Sequence, residues 1–264
     1  TSMSFDALVR AARRSRRIMA EAVVPPAPLS AGQAFASAAH PDIRLVNFVG
    51  EVLIGSADDA GEVLEEISTH FTEAGSVCHV IEPAGTEVPE ALRAAARSSG
   101  FQVLEKILLR LEDYEPVAPV CDLQLVPIRA AMPELAGFYR AVGREGLAMP
   151  DGVAEQFAEV MVDRLDDPRL ELFVARDEAG PMGVAGVLSL GQIGVLEPAF
   201  VLPRARGQGA AKRLLHHTID HCARAMFQEV VLSRSVGCDS IPLYESLGFR
   251  AVGVFQVLVR ADRG

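Results

Sequence analysis

Apolar and polar positions along this chain recur at two periods, and the switches between them lay out its elements. Residues 4–22 repeat their apolar positions at helical spacing, with arginines on another side. Pro25, Pro26 and Pro28 end that pattern, and the stretch to about residue 40 reads as linker. Residues 44–54, rich in Val, Leu, Ile and Phe, predict a strand or hairpin. A helix follows over 58–74, with Val63, Leu64, Ile67 and Phe71 on one face. A short buried strand at 77–81, a helix at 89–98 and a strand at 101–111 complete the first half.

The segment 115–119 carries two prolines and divides the chain. Beyond it the pattern predicts a strand at 123–128 and helices at 132–142 and 152–164. Three successive strands follow at 170–175, 183–190 and 194–202. A helix at 209–226, a strand at 229–233, a short helix at 242–247 and a strand at 251–259 close the chain. The order is that of an α/β (α+β) protein with a mixed sheet. The expected domains are 40–117 and 118–264, with 1–39 holding a helix and linker. Thr1 and Ser2 ahead of Met3 read as a cloning remnant.

Composition narrows the function classes. The 264 residues suffice for one large domain or two ordinary ones. With 35 acidic and 25 basic side chains the formal charge is −10, a poor basis for non-specific nucleic-acid binding. Cys78, Cys121, Cys222 and Cys238 form no CxxC pair and suit a reducing compartment, so a cytoplasmic location is expected. No apolar run is long enough to suggest a membrane span. Arg13, Arg14, Arg16 and Arg17 are followed by a stretch too short, and broken by Glu21, to serve as an export signal. That basic helix reads as a surface element docked by one apolar side.

The candidate chemistry lies where an apolar strand meets a helix, at Phe200-Val201-Leu202-Pro203-Arg204-Ala205-Arg206-Gly207-Gln208-Gly209-Ala210-Ala211. Two glycines let the backbone turn tightly and approach a ligand. The first helical turn offers amides and the positive end of the dipole, which suit a phosphate or pyrophosphate. Arg204 and Arg206 add charge, and Ala210 and Ala211 keep side chains away. The other reading of these residues is a glycine-rich turn without a ligand.

The run Val201-x-Pro203-x-x-Arg206-Gly207-Gln208-Gly209-x-Ala211 resembles the cofactor-binding motif of the GNAT-type N-acetyltransferases. Leu243-Tyr244-Glu245-Ser246-Leu247-Gly248-Phe249, about 30 residues on, resembles the family's second motif. The resemblance covers about residues 120–262 and implies a GNAT-like mixed sheet flanked by helices. It implies acetyl-CoA as a substrate that donates to a primary amine by direct attack. Amides of Gly207, Gln208, Gly209, Ala210 and Ala211 would hold the pyrophosphate, and Phe200 and Val201 the pantetheine arm and acetyl carbonyl. Tyr244 would be the general acid for the departing thiolate, since a phenol ordinarily ionises near 10 and a thiol near 8.5. Glu197 lies where some members keep an acid that serves as base, directly or through water; the equal alternative is that it is an exposed strand residue or a structural acid near the splay. The family's usual Asn is replaced by Gly237, which leaves Ser240 or Asp239 to contact the cofactor arm. The acceptor pocket is expected around Tyr139, Glu145, Leu147 and Met149.

Other features stay in the background. His217 and His221 share a helical face but lack a third ligand, so no metal is expected. Cys238 has no activating base beside it and reads as a packing residue. The expected partners are acetyl-CoA and an amine acceptor, without nucleic acid or membrane, and a homodimer stays open. A non-catalytic or regulatory GNAT-fold module is the alternative class.

The first half repeats the second. Both run strand, helix, strand, helix, strand, and 92–101 ends in Gly100-Phe101 as 243–249 ends in Gly248-Phe249. A smaller, degenerate GNAT-like domain is therefore expected at 40–117. Its counterpart of the glycine loop, Ser56-Ala57-Asp58-Asp59-Ala60-Gly61, carries two aspartates that would repel a pyrophosphate.

Overall fold

The computed structural model describes residues 2–116 and 123–261. Cys121 and residues 117–119 of the expected linker lie outside the described residues. In chain order the first elements are α1 (Phe5–Glu21), β1 (Ala27–Pro28), β2 (Gln33–Ala36), β3 (Asn47–Val52), α2 (Asp59–Glu73), β4 (Val80–Pro83), α3 (Glu90–Ser98) and β5 (Phe101–Leu111). Then come β6 (Gln124–Pro127), α4 (Met132–Ala141), α5 (Asp151–Asp163), β7 (Leu170–Asp177), β8 (Gly180–Leu190), β9 (Ile193–Leu196) and β10 (Phe200–Val201). The last are α6 (Ala210–Arg224), β11 (Glu229–Ser235), α7 (Ile241–Ser246) and β12 (Phe249–Arg260).

The protein is a mixed α/β structure whose chain divides into two compact units. One, here the α2 unit, comprises Ser4–Leu108, Ser233–Val236 and Val252–Gly264; the other, the α6 unit, comprises Thr1–Met3, Leu109–Leu232 and Gly237–Ala251. The units therefore cut across the two halves of the sequence: β12 begins in one and ends in the other.

In the α2 unit, β1, β2 and β3 form an antiparallel meander, and β3 runs parallel to β4 through the α2 crossover. The α2 face expected from the sequence packs as expected: Val63, Leu64, Ile67 and Phe71 are buried against Val49, Ile81 and Leu92. Leu258 of β12 joins the same core, because β12 pairs antiparallel with β4 at Leu258↔Ile81 and Val259↔Val80. The stretch 25–40, read as linker from its prolines, carries β1 and β2. Ala34 and Phe35 are fully buried, and that burial outweighs the local breakers.

Helix α1 also differs from expectation. Ser4 caps it by accepting from the Ala7 amide, and Leu8, Val9, Ile18 and Met19 are buried. Its arginines do not all face solvent. Arg13 is buried and donates to the Pro83 and Gly85 carbonyls at 2.7 and 2.8 Å, which satisfies backbone acceptors that the end of β4 leaves open.

In the α6 unit, β6, β7, β8 and β9 form an antiparallel series, and β9 runs parallel to β11 through the α6 crossover. Helix α6 buries Leu214, Leu215, Ile219 and Cys222. Gly186 of β8 is required where it stands: a Cβ there would lie 2.1 Å from the Glu171 carbonyl oxygen. No helix among the described residues is long and apolar enough to cross a membrane.

Candidate functional site

The run 194–202, read as one strand, is two. β9 pairs with β8 as far as Leu196↔Val187, and Glu197 N still donates to Gly186 O at 2.9 Å. Pairing resumes in β10 at Phe200↔Val184 and Val201↔Gly183. From Leu196 to Phe200 the chain takes one residue more than β8 takes from Val187 to Val184, so 197–199 is a bulge. Pro198, which has no N–H to give a ladder, sits inside it. The parallel pairing of β9 with β11 reaches only Val195↔Val231. Among the described residues β10 pairs with β8 alone. The second edge of β10 thus keeps backbone donors and acceptors outside any ladder.

Directly after β10 the chain makes a single 3₁₀ turn, Pro203–Ala205, and enters the glycine loop. Gly207 and Gly209 have φ of +73° and +79°, left-handed conformations that glycine adopts without the cost a Cβ imposes. Gly209 is the residue at which α6 begins, with no side-chain cap and no acid in the first turn. The amides of Ala210, Ala211 and Lys212 have no carbonyl one turn back to bond within the helix. Arg206, Gly207 and Gln208 are exposed and Ala210 is buried, so the loop presents backbone and one guanidinium to solvent. Arg204 is drawn elsewhere, into an ion pair with Asp177 at 2.8 Å. Gln208 Nε2 donates to Arg204 O at 2.8 Å and steadies the loop. The arrangement offers concentrated donors and positive potential to an oxyanion.

Tyr244 lies on α7 and is buried, with its ring edge-on to Phe249 at 5.9 Å. Ser240 precedes α7 and its Oγ is 3.2 Å from Cys238 Sγ. Gly237, where the family's Asn would stand, has φ of +79°. Loop, β10 and α7 all belong to the α6 unit.

Glu197 is 5 % exposed, and its Oε2 accepts from Arg164 Nη1 at 2.6 Å; Arg164, at the end of α5, is 6 % exposed. Of the two open readings, the exposed strand residue is thereby set aside. Burial, the largest single influence, works to lower the Arg164 pKa, but the charges and hydrogen bonds of Glu197 and Tyr139 together outweigh it, and the net shift is upward. Tyr139 joins this group. Burial raises its phenol, the Glu197 charge adds to the rise, and Arg164 opposes it. The Tyr139 hydroxyl is buried beside the Arg164 guanidinium. Its ring packs edge-on to Phe157 of α5 and Phe200 of β10 at 6.2 and 6.4 Å. The expected acceptor residues are thus not alike: Tyr139 is core, Glu145 and Leu147 are exposed, and Met149 is half-buried. Between α4 and α5 the backbone makes a π-turn, Val142–Gly146, that periodicity did not disclose.

His217 and His221 both set their rings against Phe173, at 4.5 and 5.4 Å, and no group of three metal ligands is gathered among the described residues. Burial pushes the Cys78 and Cys222 thiols up to about 12, so neither is a ready nucleophile. Arg164 is the residue that sequence reading missed. The signal was indirect: a carboxylate in an apolar strand requires a partner if buried, but nothing local says which.

Residues 139–257 match the family model described as an acetyltransferase (GNAT) domain. No curated protein matches the sequence. Among solved structures, a functionally unknown conserved protein from Staphylococcus epidermidis is 16 % identical with a TM-score of 0.66, over 89 % of this chain and 92 % of that one. A GCN5-related N-acetyltransferase from Kribbella flavida is 13 % identical with a TM-score of 0.60, over 98 % and 96 %. At such identities these two likenesses concern the fold, and they extend it over nearly the whole chain. The family match spans the β10–α6 junction and α7, and it assigns residues 139–257, and not the whole chain, to the GNAT acetyltransferase domain family.

Proposed function

We propose that the α6 unit transfers an acetyl group from acetyl-CoA to a primary amine. The observation that carries this reading is the continuity of β10, with one edge outside any ladder, into the left-handed glycines and uncapped start of α6. A pantetheine arm is a chain of amides and can complete such an edge. A pyrophosphate matches the amides of Gly207 through Ala211, with Arg206 beside them. Phe200 and Val201 would bond the arm and the acetyl carbonyl, and Ser240 stands in for the missing Asn. The lone pair of the neutral amine attacks the thioester carbon, the C–S bond breaks as the thiolate leaves, and the nitrogen gives up its extra proton to water. Tyr244 is proposed to give that thiolate its proton. Most of the rate gain would come from holding the two reactants together, with acid–base help of about 10²- to 10⁴-fold. Glu197 is not proposed as the base, because its Oε2 is already taken by Arg164. The reading is of a cytoplasmic enzyme.

For residues 40–117 we propose a degenerate GNAT-like copy that does not bind CoA. The Gly100 and Gly248 junctions have the same geometry: both glycines are left-handed, and both donate to the carbonyl three residues back before a Phe opens a strand. Aligned on those glycines, Tyr244 corresponds to Ala96, so the copy has no acid. A second reading, an acyl-CoA-binding module without turnover, draws on Gly237, which cannot supply the family's side-chain contact. Calorimetry with acetyl-CoA followed by thiol release against a panel of primary amines separates the two. Binding with release supports the enzyme, binding without release supports the module, and no binding defeats both.

A further inference from the structure

The bulge at 197–199 is held from behind. Three elements meet there: α4 through Tyr139, the end of α5 through Arg164, and the strand interruption through Glu197. Phe200, one residue past the bulge, packs on Tyr139 and also on Phe157 of α5 at 5.8 Å. The only formal charges in this contact set are the two that neutralise each other. A bulged strand has lost part of its ladder, and something else must fix where its backbone runs. Here an ion pair with both partners buried stands at the bulge: Glu197 immediately precedes Pro198 and lies three residues before Phe200, whose backbone would bond the acetyl group.

We propose that Glu197 and Arg164 are positioning residues, whose pairing, backed by Tyr139, sets the course of the Glu197–Phe200 backbone and so the alignment of the thioester against the amine. This rests on the acetyl-transfer reading. It assigns Glu197 a role through geometry rather than through proton removal. The two roles make opposite demands. A base needs a carboxylate that can take a proton. A positioning pair needs complementary hydrogen-bonding partners of the right length, and tolerates loss of both charges together but not of one.

The test is a double-mutant cycle on the full chain: wild type, E197Q, R164Q and R164Q/E197Q. Each is measured for thermal unfolding, acetyl-CoA affinity by calorimetry, and thiol release against primary amines across pH. Each single variant leaves a buried charge without its counterpart and is expected to lose about tenfold or more in kcat/KM. The double variant, which leaves no buried charge without its counterpart, is expected to return to within about threefold of wild type, a coupling inside the range such pairs show. The acid limb of its pH profile should stay where wild type has it. Should the single variants fail to fold, wild type and the double variant alone decide. A double variant that folds but stays as slow as E197Q, or loses the acid limb, makes Glu197 the base and overturns the proposal. A double variant that does not fold overturns it too, because hydrogen-bonded geometry without charge would then be insufficient. Wild type that neither binds acetyl-CoA nor releases thiol is a different failure: it removes the acetyl-transfer reading, and this inference with it.

Discussion

Helices α2 and α6 begin in the same way and end up with opposite chemistry. Helix α2 follows β3 and leads to β4, its parallel partner; α6 follows β10 and leads to β11, the parallel partner of β9. Each start carries the positive end of a helix dipole. At α2 that end is consumed within the chain: Asp59 accepts from the Ser56 amide at 2.8 Å, and Asp59 and Glu62 put two carboxylates in the first turn. The loop before it has no left-handed residue. Neither helix has a side-chain cap, but α6 has no acid in its first turn, and two left-handed glycines bring the backbone itself to the surface. The fold provides an anion-attracting helix start in both places. A few side chains decide whether it is left open to a ligand.

The largest effect that would sharpen this comparison is on turnover. Replacing Tyr244 by Phe should lower kcat by about 10²- to 10⁴-fold while acetyl-CoA affinity changes little. A Tyr244→Phe enzyme of full activity would mean that the absence of this tyrosine from the other copy is irrelevant. Next comes stability. Leu258 is buried in the α2-unit core, so Leu258→Ala should cost about 2–5 kcal/mol, read as a lower denaturation midpoint. A neutral result would show that β12 is dispensable to that unit. Gly209→Asp gives α6 the kind of first-turn acid that α2 has, at a left-handed position. Backbone strain of roughly 1–2 kcal/mol and charge repulsion together should weaken acetyl-CoA binding by about 100-fold with the fold intact. Unchanged binding would break the contrast between the two helix starts.

The smallest effect concerns only the α2 unit. Burial, reinforced by Arg16, pushes the Lys106 pKa down to about 8. The unfolded chain then binds more protons than the folded one between about pH 8 and the ordinary lysine value near 10.4. Stability should therefore rise with pH across that window, by a few kcal/mol at most. Lys106→Met should flatten the rise. Urea midpoints at pH 7.5 and 9.5 measure it, and an equal slope in both proteins would remove Lys106 as its source.

Much of this was legible in the sequence because the causes are local. The glycine loop, the amphipathic faces of α2 and α6, and the helix–Gly–Phe junctions each show in a few neighbouring residues. The parts that were not legible depend on partners far along the chain. Residues 25–40 hold strands because Phe35 finds Phe48, stacked at 4.7 Å, and no local count of prolines reveals that. The break between β9 and β10 was announced by Pro198 but hidden by the apolar residues around it. Glu197 stood out as unusual; its meaning required Arg164, which lies 33 positions earlier on another element.

The placement of β12 bears on how the chain is made. Ribosomes deliver residues from the amino end, and domains generally fold as they emerge. Here Ile81 must wait for Leu258 and Val80 for Val259. Until then β4 exposes an edge, and a buried face of the α2 core stays open. The α2 unit is thus completed only after the segments of the α6 unit that lie between β4 and β12 have been made. Such pairings between distant residues slow folding and lengthen the time an adhesive strand edge is unprotected. A circular permutant that brings the β12 segment ahead of β1 would shorten that wait.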